Sequence, residues 1–457
     1  MLNEDTVKFF ASNVKSGFYG DIRLNESEGT RFVIENGKVR RVSQTSDSGF
    51  GLRIMKDGVW GFASSNKLSK KSIKNALASA CSYVNSRTKS RIRFEISPEM
   101  NTANVKVPWQ KDVRDIELSE KLALVKAADR AARGKETVST LSAYSDMVIH
   151  WIQGSTLGNI LSFYESYPSL GVSSFVKDSA GIQSVRKTLG GNCGFEIFKR
   201  GSAEKLGETV LEEAKNLVGA KVVNGGKYDV VLDPSMTGVY THEAFGHATE
   251  ADGILAGASV LEGKLGKVVG KDTVTIIDDP TMPGERGSFK FDQEGTKAKR
   301  RVLVENGVLK NYLNTLETSN RLRLGPNGAA RSMDYSCRPI ARMSNTFIKP
   351  GDFKDDIYED INEGIAFYGF QYGYVDPASG KFMFKSQYGR MIRNGKLAEF
   401  IRDAALTGST LEILNRIDAI GKDFSLDGGT CGKEGQWVPV TSGGPSIRVR
   451  QVVVGGQ

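Results

Sequence analysis

Three short segments of this sequence share the pattern of a tight β-hairpin, and this pattern restricts the fold more than any other feature. They are RFVIENGKVRRVS (31–43), RVLVENGVLKNYL (301–313) and GRMIRNGKLAEFI (389–401). Each segment places Asn-Gly between two short runs of β-forming residues, which is typical of a two-residue type I′ turn. Because such turns join antiparallel strands, the sequence predicts antiparallel sheets in both the first and the last thirds of the chain.

Five segments predict helices from the spacing of their apolar residues. The segment at 67–87 has a serine N-cap candidate, and the segment at 117–134 ends in basic residues and a glycine. The segments at 204–221 and 409–424 are amphipathic, and a fifth helix is predicted at roughly 236–256. Together with the hairpins, these helices predict an α+β fold class.

The length of the chain predicts more than one domain, because 457 residues exceed what one ordinary core holds. Two breaks are predicted, one in a polar, proline-bearing segment around 97–113 and one where a helix gives way to strands around 222–235. We therefore predict an N-terminal α+β domain (1–98), a middle helix and strand domain (99–222) and a large antiparallel β-rich C-terminal domain (223–457). The C-terminal domain carries the fifth helix.

Several features predict a cytoplasmic protein. No run of about 18 apolar residues occurs that could span a membrane. The first residues include acids at positions 4 and 5 and lack the apolar core of a signal peptide. The four cysteines have no paired spacing and no C-x-x-C, which is typical of reduced thiols in the cytosol.

The net charge of +9 comes from 62 basic and 53 acidic side chains. Basic residues form only short clusters, without a long run and without interleaved aromatic residues. This pattern favours a solvated basic surface over a nucleic-acid interface, which would need a sharper basic stripe.

The segment THEAFGHATEAD (241–252) contains two of the three histidines, and Glu243 directly follows the first. In the zinc-protease pattern H-E-x-x-H, the histidines lie about 40° apart around a helix and reach one ion. His242 and His247 are one residue further apart, which places them about 140° apart on a regular helix. A one-residue π-bulge would bring them back to the same side, and Gly246 relaxes the backbone there. We predict a distorted helix; the alternative is an ordinary helix with two histidines.

A zinc site usually has a third protein ligand and leaves its fourth position to water. Glu250 and Asp252 are the local candidates, but both are better interpreted as solvated helix charges or as partners of a ligand. Cys193 and Cys431 each lie between glycines, where close backbone approach suits a ligand or a tight turn. The residue pattern alone does not choose between these two cysteines.

With these features in hand, the sequence resembles the TldD/PmbA family of metalloproteases, which are also described as modulators of DNA gyrase. The similarity covers nearly the whole chain and is strongest from HEAFGHATEAD onward. Four further motifs follow in the family's order: DDPTMPGERGSFKFDQEGT (278–296), ARMSNTFIKPG (341–351), VDPASGKFMF (375–384) and GTCGKEGQWVPVTSGGPSIRV (429–449). The chain keeps both H-E-x-x-x-H and the late cysteine, so it is similar to the TldD-type active subunit.

The resemblance implies a zinc ion (Zn²⁺) held by His242, His247 and Cys431. Glu243, next to a ligand, would accept the proton of a water activated by the zinc and later protonate the leaving amine. The predicted function is therefore a zinc-dependent peptidase that hydrolyses peptide bonds in small or unfolded polypeptides.

The neighbouring strand-rich segments predict two substrate contacts, Arg286 and Asn345. A second function is a non-catalytic scaffold or a gyrase-associated binding subunit, although a scaffold has no use for the complete set of site residues. The resemblance also implies a homodimer or a heterodimer with a sister subunit of the family. We expect neither a membrane partner nor a nucleic acid.

Overall fold

The computed structural model describes the chain at residues 3–87, 102–105, 109–179, 181–353 and 356–456. Within these residues strands outnumber helices, and most strand pairs are antiparallel. The predicted α+β class with antiparallel sheets is therefore confirmed.

The described residues contain eight α-helices, most of them short. They are α1 (Glu4–Asn13), α2 (Lys70–Asn85), α3 (Leu118–Ala131), α4 (Ser202–Lys215), α5 (Pro234–Val239), α6 (Ala251–Leu255), α7 (Leu316–Leu322) and α8 (Thr410–Arg416). Other helical turns are the 3₁₀ turns Val113–Asp115, Phe195–Ile197 and His247–Thr249 and a π-helical segment, Tyr240–Gly246. Among the described helices, none is both long enough and apolar enough to cross a bilayer.

The strands of the described residues form four sheets. In chain order they are β1 (Tyr19–Glu35), β2 (Lys38–Lys56), β3 (Val59–Ser65), β4 (Thr102–Asn104), β5 (Thr137–Ser155), β6 (Ile160–Ser166), β7 (Ser169–Asp178), β8 (Gly181–Gly190), β9 (Lys221–Val222), β10 (Gly226–Leu232), β11 (Ile276–Asp278), β12 (Arg301–Glu305), β13 (Val308–Leu309), β14 (Ala330–Arg331), β15 (Ile340–Ala341), β16 (Asn345–Ile348), β17 (Glu363–Asp376), β18 (Lys381–Arg393), β19 (Lys396–Arg402), β20 (Ala404–Ser409), β21 (Ile417–Ile420), β22 (Ser425–Lys433), β23 (Gln436–Gly444) and β24 (Ile447–Gly456).

The first sheet contains β1 to β8 and is built around β1 and β5. These two strands pair antiparallel from Asp21 opposite Ser155 to Glu35 opposite Leu141. The sheet thus joins strands from both of the first two predicted domains. The predicted linker at 97–113 lies partly outside the described residues.

The C-terminal part contains the other three sheets. In the second sheet, β17, β10, β24, β20 and β18 pair in that order, and β17 also pairs with β18, so these pairings close a ring. The third sheet has the order β13-β12-β11-β16-β23-β22, which leaves β22 at its edge. Helix α5 packs against β17 and β23, and so lies between the second and third sheets. This position places the motif with the two histidines beside the edge strand β22.

All three predicted hairpins are confirmed. A type I′ turn requires positive φ at both central residues, which Asn and Gly adopt more readily than other residues. The turns have φ values of 52° and 74° at Asn36 and Gly37, 47° and 76° at Asn306 and Gly307, and 48° and 75° at Asn394 and Gly395.

Three predicted helices correspond to α2, α3 and α4, and the side chain of Ser69 caps α2 by accepting a hydrogen bond from the Ser72 N–H. The helix predicted at 409–424 is wrong beyond Arg416, because β21 follows and pairs with β24. Ile417 and Ile420 in this strand are buried in the core. Burial and pairing with a strand near the end of the chain therefore outweigh the local helical pattern.

Candidate metal centre

The helix that carries the two histidines is regular only at its start. The Asp233 side chain caps α5 by accepting a hydrogen bond from the Met236 N–H, and Pro234 occupies the first helical position. The chain then continues as the π-helical segment Tyr240–Gly246 and a 3₁₀ turn at His247–Thr249. The predicted distortion is confirmed, and it brings residues five apart to the same side of the helix.

Gly246 is needed here for space and not for an unusual backbone conformation. Its φ of −59° is ordinary for a helix. A Cβ atom at this position would lie 2.0 Å from Sδ of Met343. The expectation that Gly246 relaxes the backbone is therefore corrected: the glycine allows the helix to pack directly against Met343.

We expect Gly246→Ala to lower the free energy of unfolding by about 1–3 kcal/mol, because overpacking a buried site forces its neighbours to move. The measurement is urea unfolding followed by circular dichroism. Gly325→Ala is the matched control, because Gly325 is exposed and a Cβ there meets no atom within 4 Å. Equal unfolding free energies for the two variants would contradict the packing role.

The distorted helix and the edge strand β22 bring the three predicted ligands together. One potential ligand atom from each of His242, His247 and Cys431 lies within 4.8 Å of the other two. The Cys431 sulfur is 3.3 Å from Nε2 of His247. The two imidazole rings have centroids 5.3 Å apart and stand at 83° to each other, so they approach the cluster from different directions.

The charges of the cluster suit a divalent cation. Burial raises the pKa of the Cys431 thiol, but His242 and His247 outweigh burial and lower this pKa to about 5. Burial lowers the pKa of both histidines, but Cys431 raises the pKa of His242, and Glu250 and Cys431 raise that of His247. The thiolate therefore favours the protonated form of both imidazoles. A metal ion would replace these protons, so its affinity should fall as the pH falls.

The donor atoms also fit zinc in particular. Two imidazole nitrogens and one thiolate form a borderline-soft set that zinc prefers. His242 and Cys431 are buried, and the Nδ1 atom of His242 has no hydrogen-bond partner among the described residues. A buried ring nitrogen without a partner is costly unless another group binds that nitrogen, which supports a metal site.

Glu243 lies at the open side of the cluster. Its side chain is 37% exposed, whereas that of His247 is 12% exposed, and its carboxylate is 3.7 Å from Nε2 of His247. Nε2 is the same nitrogen that faces the Cys431 sulfur. The carboxylate is therefore next to the ligand atoms and accessible to water.

The two local acidic candidates lie outside the ligand cluster. Glu250 is buried and accepts a hydrogen bond from Nδ1 of His247 at 2.9 Å. Burial raises the pKa of Glu250, but Lys433 and His247 outweigh burial and lower it to about 2. Asp252 pairs with Lys433 at 2.7 Å. The sequence does not indicate this role of Lys433, because its only local signal is its position two residues after Cys431.

The two predicted substrate contacts occupy different environments. Asn345 is fully buried; its amide donates to the Asp279 carbonyl and the Ser288 hydroxyl and accepts from the Gly287 N–H. These bonds make Asn345 a structural residue of the sheet with no surface to offer a substrate. Arg286 donates to the Gly429 carbonyl at 3.1 Å, two residues before Cys431. Arg286 therefore supports the ligand strand.

The third histidine and the other glycine-flanked cysteine are not members of the ligand cluster. His150 is half-buried, contacts Ser162 Oγ at 3.0 Å and stacks on Tyr164. The Cys193 thiol has its pKa raised to about 12, chiefly by burial. A protonated thiol of this kind is a poor metal ligand.

Three family models match separate parts of the chain. Residues 225–456 match the PmbA/TldA metallopeptidase C-terminal domain. Residues 20–83 match the PmbA/TldA metallopeptidase domain 1, and residues 111–218 match the central domain. Together these matches account for most of the sequence.

The chain is also similar along its whole length to curated relatives and a solved structure. It is 40% identical over 442 residues to a metalloprotease of Methanothermobacter thermautotrophicus, covering 96% of this chain and 95% of the relative. It is 28% identical over 441 residues to a zinc metalloprotease TldD homolog of Saccharolobus solfataricus, covering 96% of each. A Thermotoga maritima protein, described as a proposed modulator of a DNA gyrase, shares the fold with a TM-score of 0.79, 23% identity and 98% coverage of both chains.

Proposed function

Because this chain belongs to the PmbA/TldD family of metallopeptidases, we propose that it is a zinc-dependent peptidase that hydrolyses small or unfolded polypeptides. The observation that carries this proposal is the cluster of ligand atoms of His242, His247 and Cys431, all within 4.8 Å, beside the Glu243 carboxylate. The relative named a zinc metalloprotease supports the choice of metal. The test is cleavage of unstructured peptides by the zinc-loaded protein, compared with the metal-free protein.

The proposed chemistry divides the work between the metal and one carboxylate. When bound, zinc acts as a Lewis acid that lowers the pKa of water and polarises a peptide carbonyl. Glu243 accepts a proton from the attacking water, which its exposed carboxylate can reach. It then donates that proton to the leaving amine. His242, His247 and Cys431 hold the metal, and the thiolate leaves the ion less electrophilic than a third neutral ligand would.

We propose that the substrate is an extended or unfolded chain, because such a chain could pair its backbone with the edge strand β22. Arg286 remains a predicted substrate contact. In the structure its side chain donates to the Gly429 carbonyl on the edge strand β22. The guanidinium of Arg286 has one buried nitrogen without a hydrogen-bond partner among the described residues. Replacing Arg286 would therefore affect both the ligand strand and any substrate bound beside it.

The alternative is a non-catalytic scaffold or a gyrase-associated binding subunit. The Thermotoga maritima protein described as a gyrase modulator shares the fold, but at 23% identity the likeness carries no function. A scaffold would not need a buried thiolate and two histidines arranged around one position next to a carboxylate. Peptide cleavage that requires the metal supports the peptidase. A protein that cleaves no peptide at any concentration of added zinc supports the scaffold.

Peroxide should inactivate the protein by releasing its zinc. The pKa of Cys431 is lowered to about 5, whereas burial raises the pKa of the other three thiols, Cys81, Cys193 and Cys337. Oxidation follows thiolate character, and an oxidised sulfur is a poor zinc ligand. We expect zinc release, measured with a colorimetric chelator, to proceed at the same rate as loss of peptide cleavage.

A variant in which Cys81, Cys193 and Cys337 are all replaced by serine is the control for this prediction. It should respond to peroxide like the wild type. Activity loss that precedes zinc release, or a variant that resists peroxide, would show that another site is oxidised first.

A further inference from the structure

Glu250 lies between the two segments that carry the proposed ligands. Its side chain is 2% exposed. One carboxylate oxygen, Oε2, is 2.9 Å from Nδ1 of His247 and 3.0 Å from Nζ of Lys433. A single oxygen atom thus contacts the histidine on the distorted helix and a lysine on β22.

Lys433 is anchored at several points. It follows Cys431 by two residues on β22, so the side chains of both residues leave the same face of the strand. Its ammonium also donates to the carboxylate of Asp252 at 2.7 Å and to the carbonyl of Ala341 at 3.1 Å. The ammonium is therefore held by Glu250, Asp252 and Ala341 together.

Arg342 makes a second connection between Glu250 and the ligand strand. Its side chain is fully buried, and it donates to the Cys431 carbonyl at 2.7 Å. Its Nε atom lies 3.9 Å from Oε1 of Glu250. Neither of these two atoms has a hydrogen-bond partner among the described residues. Their opposite charges therefore face each other across 3.9 Å.

Glu250 cannot itself take part in the ligand cluster while it makes these contacts. It binds Nδ1 of His247, whereas the Cys431 sulfur faces Nε2 on the other side of the ring. A carboxylate that accepts the Nδ1 proton of a histidine fixes the tautomer in which Nε2 is free to bind a metal.

We propose that Glu250 is a positioning residue of the metal centre: it orients His247 and, through Lys433 and Arg342, holds the strand of Cys431 at the correct distance from the histidines. This inference rests on the proposed zinc site. It assigns to Glu250, with Lys433 and Arg342, a part in setting the affinity of that site for the metal. Removing the charge of Glu250 weakens its contacts with the histidine ring and with Lys433 at the same time, so the metal-free protein holds the three ligands less firmly in place.

The test is zinc affinity, measured by competition with a chromophoric chelator, for the wild type, Glu250→Gln and Asp252→Asn. We expect Glu250→Gln to raise the Kd for zinc by about 10- to 100-fold. Asp252→Asn is the matched control, because Asp252 pairs with the same lysine but does not contact His247. In this variant Lys433 keeps its contacts with Glu250 and the Ala341 carbonyl, and the lost pair is partly exposed, so the control should raise the Kd by less than about fivefold.

Cobalt binding separates this inference from the proposed function. At saturating Co²⁺, Glu250→Gln should retain the thiolate-to-cobalt absorption band of the wild type, because all three ligands remain. A wild type that binds neither metal would overturn the proposed function, and with it the inference. A wild type that binds zinc, together with Glu250→Gln of equal affinity, would overturn the inference alone.

Lys433→Met provides the second variant, in case Glu250→Gln does not fold. It leaves Glu250 against His247 and removes the link to β22. We expect weaker zinc binding here too, and in the double variant an effect smaller than the product of the two single effects, because both act through one contact. Unchanged affinity in Lys433→Met, or independent effects in the double variant, would contradict the coupling.

Discussion

Replacing Glu243 by glutamine is expected to lower kcat/KM for peptide cleavage by about 10²–10⁴-fold, the range that a positioned acid–base group contributes. Glutamine has nearly the same shape as glutamate but cannot accept the proton of the attacking water. The side chain is 37% exposed and is not one of the clustered ligands, so the fold and the metal content should remain unchanged. The measurement is hydrolysis of an unstructured fluorogenic peptide, together with elemental analysis of the same sample.

Glu262→Gln is a suitable control for the Glu243 variant, because it makes the same chemical change at a residue that is not part of the ligand cluster. Activity within about twofold of the wild type is expected for it, as for most surface substitutions. A Glu243→Gln enzyme with full metal content and wild-type kcat would mean that another group moves the proton. A variant that also loses its metal would mean that Glu243 helps to bind it.

Replacing Cys431 by serine is expected to remove the metal. Its thiolate is the only sulfur in the cluster, and a serine hydroxyl remains protonated near neutral pH and binds zinc poorly. Losing a ligand should weaken zinc binding more than losing a residue that only contacts a ligand. We therefore expect the Kd for zinc to rise by more than about 100-fold. Peptide cleavage should be lost with the metal, because the carboxylate of Glu243 acts only on an activated water.

Cys193→Ser is the matched control for this prediction. Cys193 also lies between glycines, but its thiol has a raised pKa and it is not part of the cluster. Zinc content should therefore stay near one ion per chain in Cys193→Ser and fall to a small fraction in Cys431→Ser. Equal zinc content in the two variants would exclude Cys431 as a ligand.

Local sequence predicted the parts of this fold whose cause is local. The Asn-Gly pairs adopt positive φ at all three hairpins because few other residues adopt that conformation readily. The five-residue spacing of His242 and His247 predicted a π-helical segment, because only an inserted residue brings both rings to one side. In each case, the physical reason lies within a few residues of the signal.

The parts that the sequence did not predict depend on distant contacts. The helix expected beyond Arg416 gives way to β21, because this segment pairs with β24 near the end of the chain. Gly246 is required by the sulfur of Met343, almost 100 residues away in the sequence, which no local pattern indicates. Asn345, predicted to contact substrate, is fully buried and bonded to its neighbours within the sheet.

The candidate site shows the same division. The sequence pattern identified the histidines and left Cys193 and Cys431 open, and only the family resemblance favoured Cys431. The sulfur reaches His247 across 184 residues, through pairing of β22 and β23 in the third sheet. Arg342 and Lys433 carry no signal of their own, because their role follows from a carboxylate that they meet only in the folded chain.

X-ray absorption at the zinc edge of the loaded wild-type protein tests most directly whether one metal ion is held by both imidazoles and the late thiolate. We predict one sulfur neighbour at about 2.3 Å and two imidazole nitrogens at about 2.0–2.1 Å, with the sulfur signal absent in any zinc retained by Cys431→Ser. A spectrum of fully loaded wild type with only nitrogen and oxygen neighbours would contradict this prediction.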